Sequence, residues 1–161
     1  MIILNVAVIL ILVTIGVFVC IKKPFKHNNK MSIREAVMLT GLPIITFTCQ
    51  NKKLNFLLDT GSNNSHISTR VANKLNIQKE ASICTTGFGN RTIKVYGGNV
   101  DLEYKDNIFN ITLFISNNLD SGFDNIKQET GVTIHGVLGT DFLEKYKYII
   151  NFNTMDIYNK K

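Results

Sequence analysis

The residues best suited to chemistry stand together in residues 54–68, which read LNFLLDTGSNNSHIS. At the centre lies Asp59-Thr60-Gly61-Ser62. The apolar run Phe56-Leu57-Leu58 ahead of the acid is too short for a helix and reads as a buried strand. A carboxyl at the end of such a strand is costly unless it is hydrogen-bonded and put to use. Gly61 lets the chain bend sharply behind the acid, and Thr60 and Ser62 supply hydroxyls that can orient a carboxylate. Taken alone, the four residues also fit a turn that closes a hairpin.

A second stretch, residues 134–143, reads IHGVLGTDFL. Val137 and Leu138 run into Gly139, and a short helix is expected from Thr140. These two signals, in this order, resemble the aspartic proteases, and by size their retropepsin-like branch. In that family the strand carrying Asp-Thr-Gly threads a loop closed by an apolar-apolar-Gly motif and a short helix. The likeness extends over roughly residues 42–158 and is carried by the two motifs.

The resemblance implies a mostly β fold: a single-lobe, retropepsin-like acid protease barrel with one short helix after the closing glycine. It implies an aspartic endopeptidase acting on a peptide or protein substrate, with no cofactor and no metal. Asp59 would be the catalytic acid, with Thr60 and Gly61 shaping its turn. Ser62, Asn63 and Asn64 would line the cleft. A glycine-rich hairpin in residues 83–100 would close over the substrate as a flap, with Gly87, Phe88 and Gly89 at its tip; without the resemblance it is an ordinary hairpin. Val137, Leu138 and Gly139 would be the structural closing motif.

Aspartic proteolysis needs two carboxylates sharing one proton, because like charges about 3 Å apart cannot both ionise readily. A single lobe must borrow the second acid from a twin, so a homodimer is expected. Two acids within the chain compete for that role. Asp120-Ser121-Gly122 has the polar lead-in 116–119 and no closing motif of its own, and reads as a turn. Asp141 falls in the first turn of its expected helix, where an acid suits the helix dipole. The family often carries acids after its Asp-Thr-Gly turn and an Arg after the closing glycine. The corresponding residues here are Asn63, Asn64 and Thr140, so both sides of that ion pair are missing together. His66, His135 and Cys84 show neither nucleophile-base nor metal-ligand spacing.

The remaining chain must position these groups. Residues 44–49 and 54–58 read as strands around a turn at 51–53, and residues 69–75 as a helical turn. Gly97-Gly98 suggests a bend or bulge. Strands are expected at 100–104 and 108–115, then at 148–153 and 155–158, with a helix at 140–146. Residues 117–133, with three acids and one Lys, read as an irregular surface insertion with a helical turn near 124–129. Ser32-Ile33-Arg34-Glu35 has a capping-box pattern for a short helix ended by Gly41 and Pro43.

At 161 residues the chain allows one ordinary domain and an appendage. Residues 2–21 hold no charged side chain and, at about 1.5 Å per helical residue, span about 30 Å, enough for a transmembrane helix. No basic residue precedes the run, and no small residue prepares a lipoprotein-type cleavage at Cys20, so an uncleaved anchor is expected. Lys22, Lys23, Lys26 and Lys30 follow it and, by the positive-inside rule, hold the domain in the cytoplasm. The division is then residues 1–21 as anchor, 22–41 as basic linker and short helix, and 42–161 as protease domain. Those four Lys carry most of the net charge of +6, so the basic balance does not point to nucleic acid. Three scattered cysteines make no disulfide framework and no zinc site. Two other function classes fit the chain: a catalytically silent dimeric peptide-binding module, and a bitopic adaptor that uses the domain as a monomer.

Overall fold

The computed structural model describes residues 31–86 and 92–159. The apolar run 2–21, the linker lysines and the flap-tip residues Gly87, Phe88 and Gly89 lie outside the described residues. Among the described residues no helix is long and apolar enough to cross a membrane.

The described residues form, in order, β1 (Met31–Ser32), α1 (Arg34–Thr40), β2 (Ile44–Cys49), β3 (Lys52–Leu58), β4 (His66–Ser68), α2 (Thr69–Lys74), β5 (Ala81–Thr86), β6 (Thr92–Tyr104), β7 (Asn107–Ser116), α3 (Asn118–Thr130), β8 (Gly136–Leu138), α4 (Thr140–Lys145), β9 (Tyr148–Asn151) and β10 (Asp156–Asn159). The main sheet runs β2-β3-β8-β4-β7-β6-β5. It closes where Thr48 of β2 pairs with Glu103 of β6, so the first six of these strands form a barrel and β5 extends it. A second, three-stranded sheet is ordered β1-β10-β9.

The barrel follows from alternation. In β3, Leu54, Phe56 and Leu58 turn inward; in β7, Phe109, Ile111 and Leu113 do the same. Phe47 of β2 is fully enclosed and meets the rings of Phe56, Phe109 and Phe142 edge-on, with centroids 5.8–6.0 Å apart. Phe142 comes from α4 and also stacks on Tyr148 at 5.7 Å, so the short helix after Gly139 is pinned into the core. Met31 and Ile33 are buried in the same core, which draws the start of the described chain into the domain.

Several expected elements are corrected. Most of residues 117–133 are not irregular: Asn118–Thr130 form helix α3, and Asp120-Ser121-Gly122 lies within it and is not a turn. Leu119, Phe123 and Ile126 recur at helical spacing and pack with Ile44, Ile134 and Val137 in a second apolar cluster. The capping box at Ser32 does not form. Ser32 is in β1, paired with Asp156, and its Oγ accepts the Arg34 N–H at 3.3 Å, while α1 starts after Ile33, which supplies no side-chain cap. Gly97-Gly98 makes no bulge. β6 passes through both in continuous register, leaving β5 and joining β7 at Gly97. A Cβ on Gly97 would lie 2.4 Å from Leu113 O, so the glycine serves the close approach of backbones. The first hairpin turns at Gln50-Asn51, both at positive φ, and β3 begins at Lys52 instead of Leu54.

Candidate active site

The site is built where β8 passes between β3 and β4. Leu57 pairs in parallel with Val137, and His66 pairs antiparallel with the same residue from the other side. The chain from β3 to β4, residues 59–65, must therefore loop over the end of β8. Asp59 sits at the start of that loop. Its N–H donates to Leu138 O at 3.0 Å, so strand pairing continues up to the acid.

The loop holds the carboxylate by its own backbone. Gly61 N–H donates to Asp59 Oδ1 at 2.9 Å, and Ser62 N–H donates to Asp59 O at 3.1 Å. A Cβ on Gly61 would lie 3.1 Å from Asp59 Oδ1, so a side chain there would crowd the carboxylate. The glycine eases that approach and does not serve a left-handed backbone, since its φ is not in the positive range. Asp59 is half-buried, while Thr60, Gly61 and Asn63 are exposed.

Gly139 is the floor of the loop. A Cβ there would meet Ser62 O at 2.6 Å and the Asn64 carbonyl at 2.8 Å, so no larger residue fits under the crossing. Thr140 N–H donates to Ser62 O at 2.8 Å, and Ser62 Oγ donates to Asn64 O at 2.7 Å. Val137 and Leu138 anchor the floor from opposite faces of β8. Val137 joins the cluster with Phe123, and Leu138 joins the barrel core.

Asp141 is in the first turn of α4, but its carboxylate turns to Ser65. Oδ2 accepts from Ser65 N at 2.9 Å, and Oδ1 accepts from Ser65 Oγ at 2.7 Å and from Phe142 N at 2.8 Å. Asp120 forms an ion pair with Arg70 at 3.2 Å. Neither acid is at liberty to partner Asp59. The spacing of the sequence did not reveal the Ser65–Asp141 contact, because it joins residues far apart in the chain.

Both histidines have structural surroundings. His66 is half-buried, with its ring centroid 6.1 Å from that of Phe114. Burial holds its pKa below the ordinary value, against opposing effects of Asp141 and the Phe114 backbone. His135 Nδ1 accepts the Asn55 backbone N–H at 2.9 Å, and the His135 backbone N–H donates to Asn55 O at 2.8 Å. Burial lowers its pKa too, outweighing an opposing effect of the Asn55 backbone, and the bond at Nδ1 is open only to the unprotonated ring. Strands β5 and β6 pair from Ala81↔Gly97 to Thr86↔Thr92, so the hairpin expected to serve as a flap has its two arms in register. Cys84 is exposed on β5.

A family profile described as aspartyl protease matches residues 45–142, more than half of the chain, and spans both motifs. Among solved structures, the chain is similar to a retropepsin-like aspartic protease from Rickettsia conorii at 20% identity, with 72% of this chain and 81% of that one covered and a TM-score of 0.48. It is also similar to the EIAV protease complexed with the inhibitor HBY-793, at 19% identity, with 65% and 86% covered and a TM-score of 0.46. No curated protein matches the chain.

Proposed function

This chain belongs to the aspartyl protease family, and from that premise we propose that it is a membrane-anchored, retropepsin-like aspartic endopeptidase that works as a homodimer. The observation that carries the reading is the state of Asp59. Its carboxylate is held by the Gly61 N–H at the end of a core strand, in a loop whose neighbours Thr60 and Gly61 face solvent. A half-buried acid set this firmly at an open face is poorly explained by stability alone.

In the proposed reaction, Asp59 of each of two chains meets across the open face, and the two share one proton. The ionised carboxylate takes a proton from a water held between them as that water attacks the peptide carbonyl. The protonated carboxyl supports the developing oxyanion. Ser62, Asn63 and Asn64 line the cleft, and the hairpin of β5 and β6 closes over the substrate. The uncharged run 2–21 supports a single membrane pass, and the lysines after it support a cytoplasmic domain.

The test is cleavage of an extended-peptide library by the full chain reconstituted in phospholipid vesicles. Wild type should cut best at acidic to mildly acidic pH, with a bell-shaped profile that belongs to the pair of acids. Asp59→Asn keeps the shape and removes the ionisable pair, so cleavage should vanish while the fold persists. If the wild type binds peptides in the vesicles yet cuts none at any pH, the silent binding-module reading replaces this one.

A further inference from the structure

We infer that Ser65 and Asp141 are a positioning pair that holds the Asp59 turn in its working geometry; the inference rests on the protease reading above. Ser65 is fully buried, and every polar atom it owns is engaged. Its N–H and Oγ donate to the two oxygens of Asp141, its Oγ accepts the Gly139 N–H at 3.0 Å, and its carbonyl accepts the Phe114 N–H at 3.0 Å. Asp141 takes a third donor, the Phe142 N–H, on Oδ1. One serine thus ties together the far end of the Asp59 loop, the floor at Gly139, helix α4 and strand β7.

The near end of the loop is fixed separately, by Asp59 N–H to Leu138 O and by Thr140 N–H to Ser62 O. Between these anchors the loop lies on Gly139 with no room for a methyl group. The contact that sets how residues 62–65 cross β8 also sets where Ser62 stands, and Ser62 N–H is bonded to the Asp59 carbonyl. Bonds from a neutral donor to a carboxylate are stronger than neutral pairs, and here the donor residue is buried while Asp141 is half-buried. Asp141 answers two donors of one residue, the backbone N–H and the side-chain hydroxyl, which fixes orientation as well as distance. An acid that must align with its twin needs this kind of support, because a misplacement of about 1 Å can cost a hundredfold in rate. Neither Ser65 nor Asp141 touches the reacting atoms in this account; both act through the loop.

The experiment compares wild type, Ser65→Ala, Ser65→Thr and Asp141→Asn as full chains in phospholipid vesicles. Three quantities are read: kcat and KM for a cleaved peptide, the melting temperature, and amide hydrogen exchange across residues 61–65. Ser65→Ala should lower kcat by roughly ten- to a hundredfold with KM changed less than about threefold, since the loss falls on the transition state. Exchange across 61–65 should rise while the chain stays folded. Ser65→Thr keeps the hydroxyl and should restore both. Asp141→Asn sets an amide N–H₂ against a donor of Ser65 and should match or exceed Ser65→Ala, and the double variant should be no worse than the poorer single one. Wild-type kcat in a folded Ser65→Ala chain would overturn the inference. So would a kcat that falls only with the folded fraction, or unchanged exchange across the loop. If the wild type cuts nothing, the protease reading fails, and the exchange measurement still decides whether the pair holds the loop.

Discussion

At the residue scale, the groups that matter are defined by what their neighbours leave no room for. Gly139 lies under carbonyls of Ser62 and Asn64, and Gly61 lies against the carboxylate it donates to. The motif letters in the sequence pointed to both glycines, but the reason for Gly61 was not legible there, because a close approach to a side chain looks the same in sequence as a sharp turn. His135 was less legible still. Its imidazole acts as one more backbone acceptor, extending the pairing of β3 with β8 just before the acid emerges. That role gives a pH dependence. The folded-state pKa of His135 lies below the ordinary value, which is about 6.5 in an unfolded chain. Above about pH 6.5 both states are neutral and the bond contributes fully. As the pH falls from there, the unfolded chain takes up the proton first, so stability is lost until the folded-state pKa has been passed. His66 shifts in the same direction, so its contribution must be held constant. The comparison is between wild type and His135→Asn, whose amide oxygen can accept the Asn55 N–H without titrating. From about pH 8 down to about pH 5, wild type should lose stability faster than the variant in urea titrations. A constant gap over that range would mean that His135 does not titrate against folding.

At the element scale, the long strands β2, β3 and β7 were legible, and so were the helices α1, α2 and α4. The alternation in β2, β3 and β7 marks a face that packs on a barrel core, and the pairing of these strands follows from short turns. Four elements escaped: β1, the three-residue strands β4 and β8, and α3. β1 has only two residues and is defined by its partner β10, so no periodicity could show it. α3 carries its signal in Leu119, Phe123 and Ile126, but Asp120-Ser121-Gly122 and the surrounding polar residues read more readily as a loop. What makes it a helix is tertiary: Phe123 is buried on the outer side of β8, in the cluster that holds Val137. The exposed Arg70 pairs with Asp120 and Asp124 contribute little beside that burial. Phe123→Ala should therefore cost about 3 kcal/mol in urea unfolding. It should also make residues 118–130 the first to be cut in limited proteolysis, where wild type resists there. Early cutting of α3 in the wild type would mean that the cluster does not secure the helix.

At the scale of the whole molecule, one folded lobe carries the one acid to which the proposed reaction assigns catalysis, and the other acids weighed for partnership have partners within the chain. The loop around Asp59 is complete in the single lobe, braced by Gly139, Ser65 and Asp141. In the proposed enzyme, pairing of chains then has only to align two finished loops. Confinement of anchored chains to a membrane plane raises their effective concentration and favours this encounter. The measurement that bears most directly on the central claim mixes wild-type and Asp59→Asn chains in the same vesicles, at constant total protein and varied ratio. If one site needs Asp59 from two chains, a mixed pair holds a single acid and is silent, and the cleavage rate should follow the square of the wild-type fraction. A rate that falls in direct proportion to the wild-type fraction would show that each chain works with its own Asp59 alone, and would contradict the account.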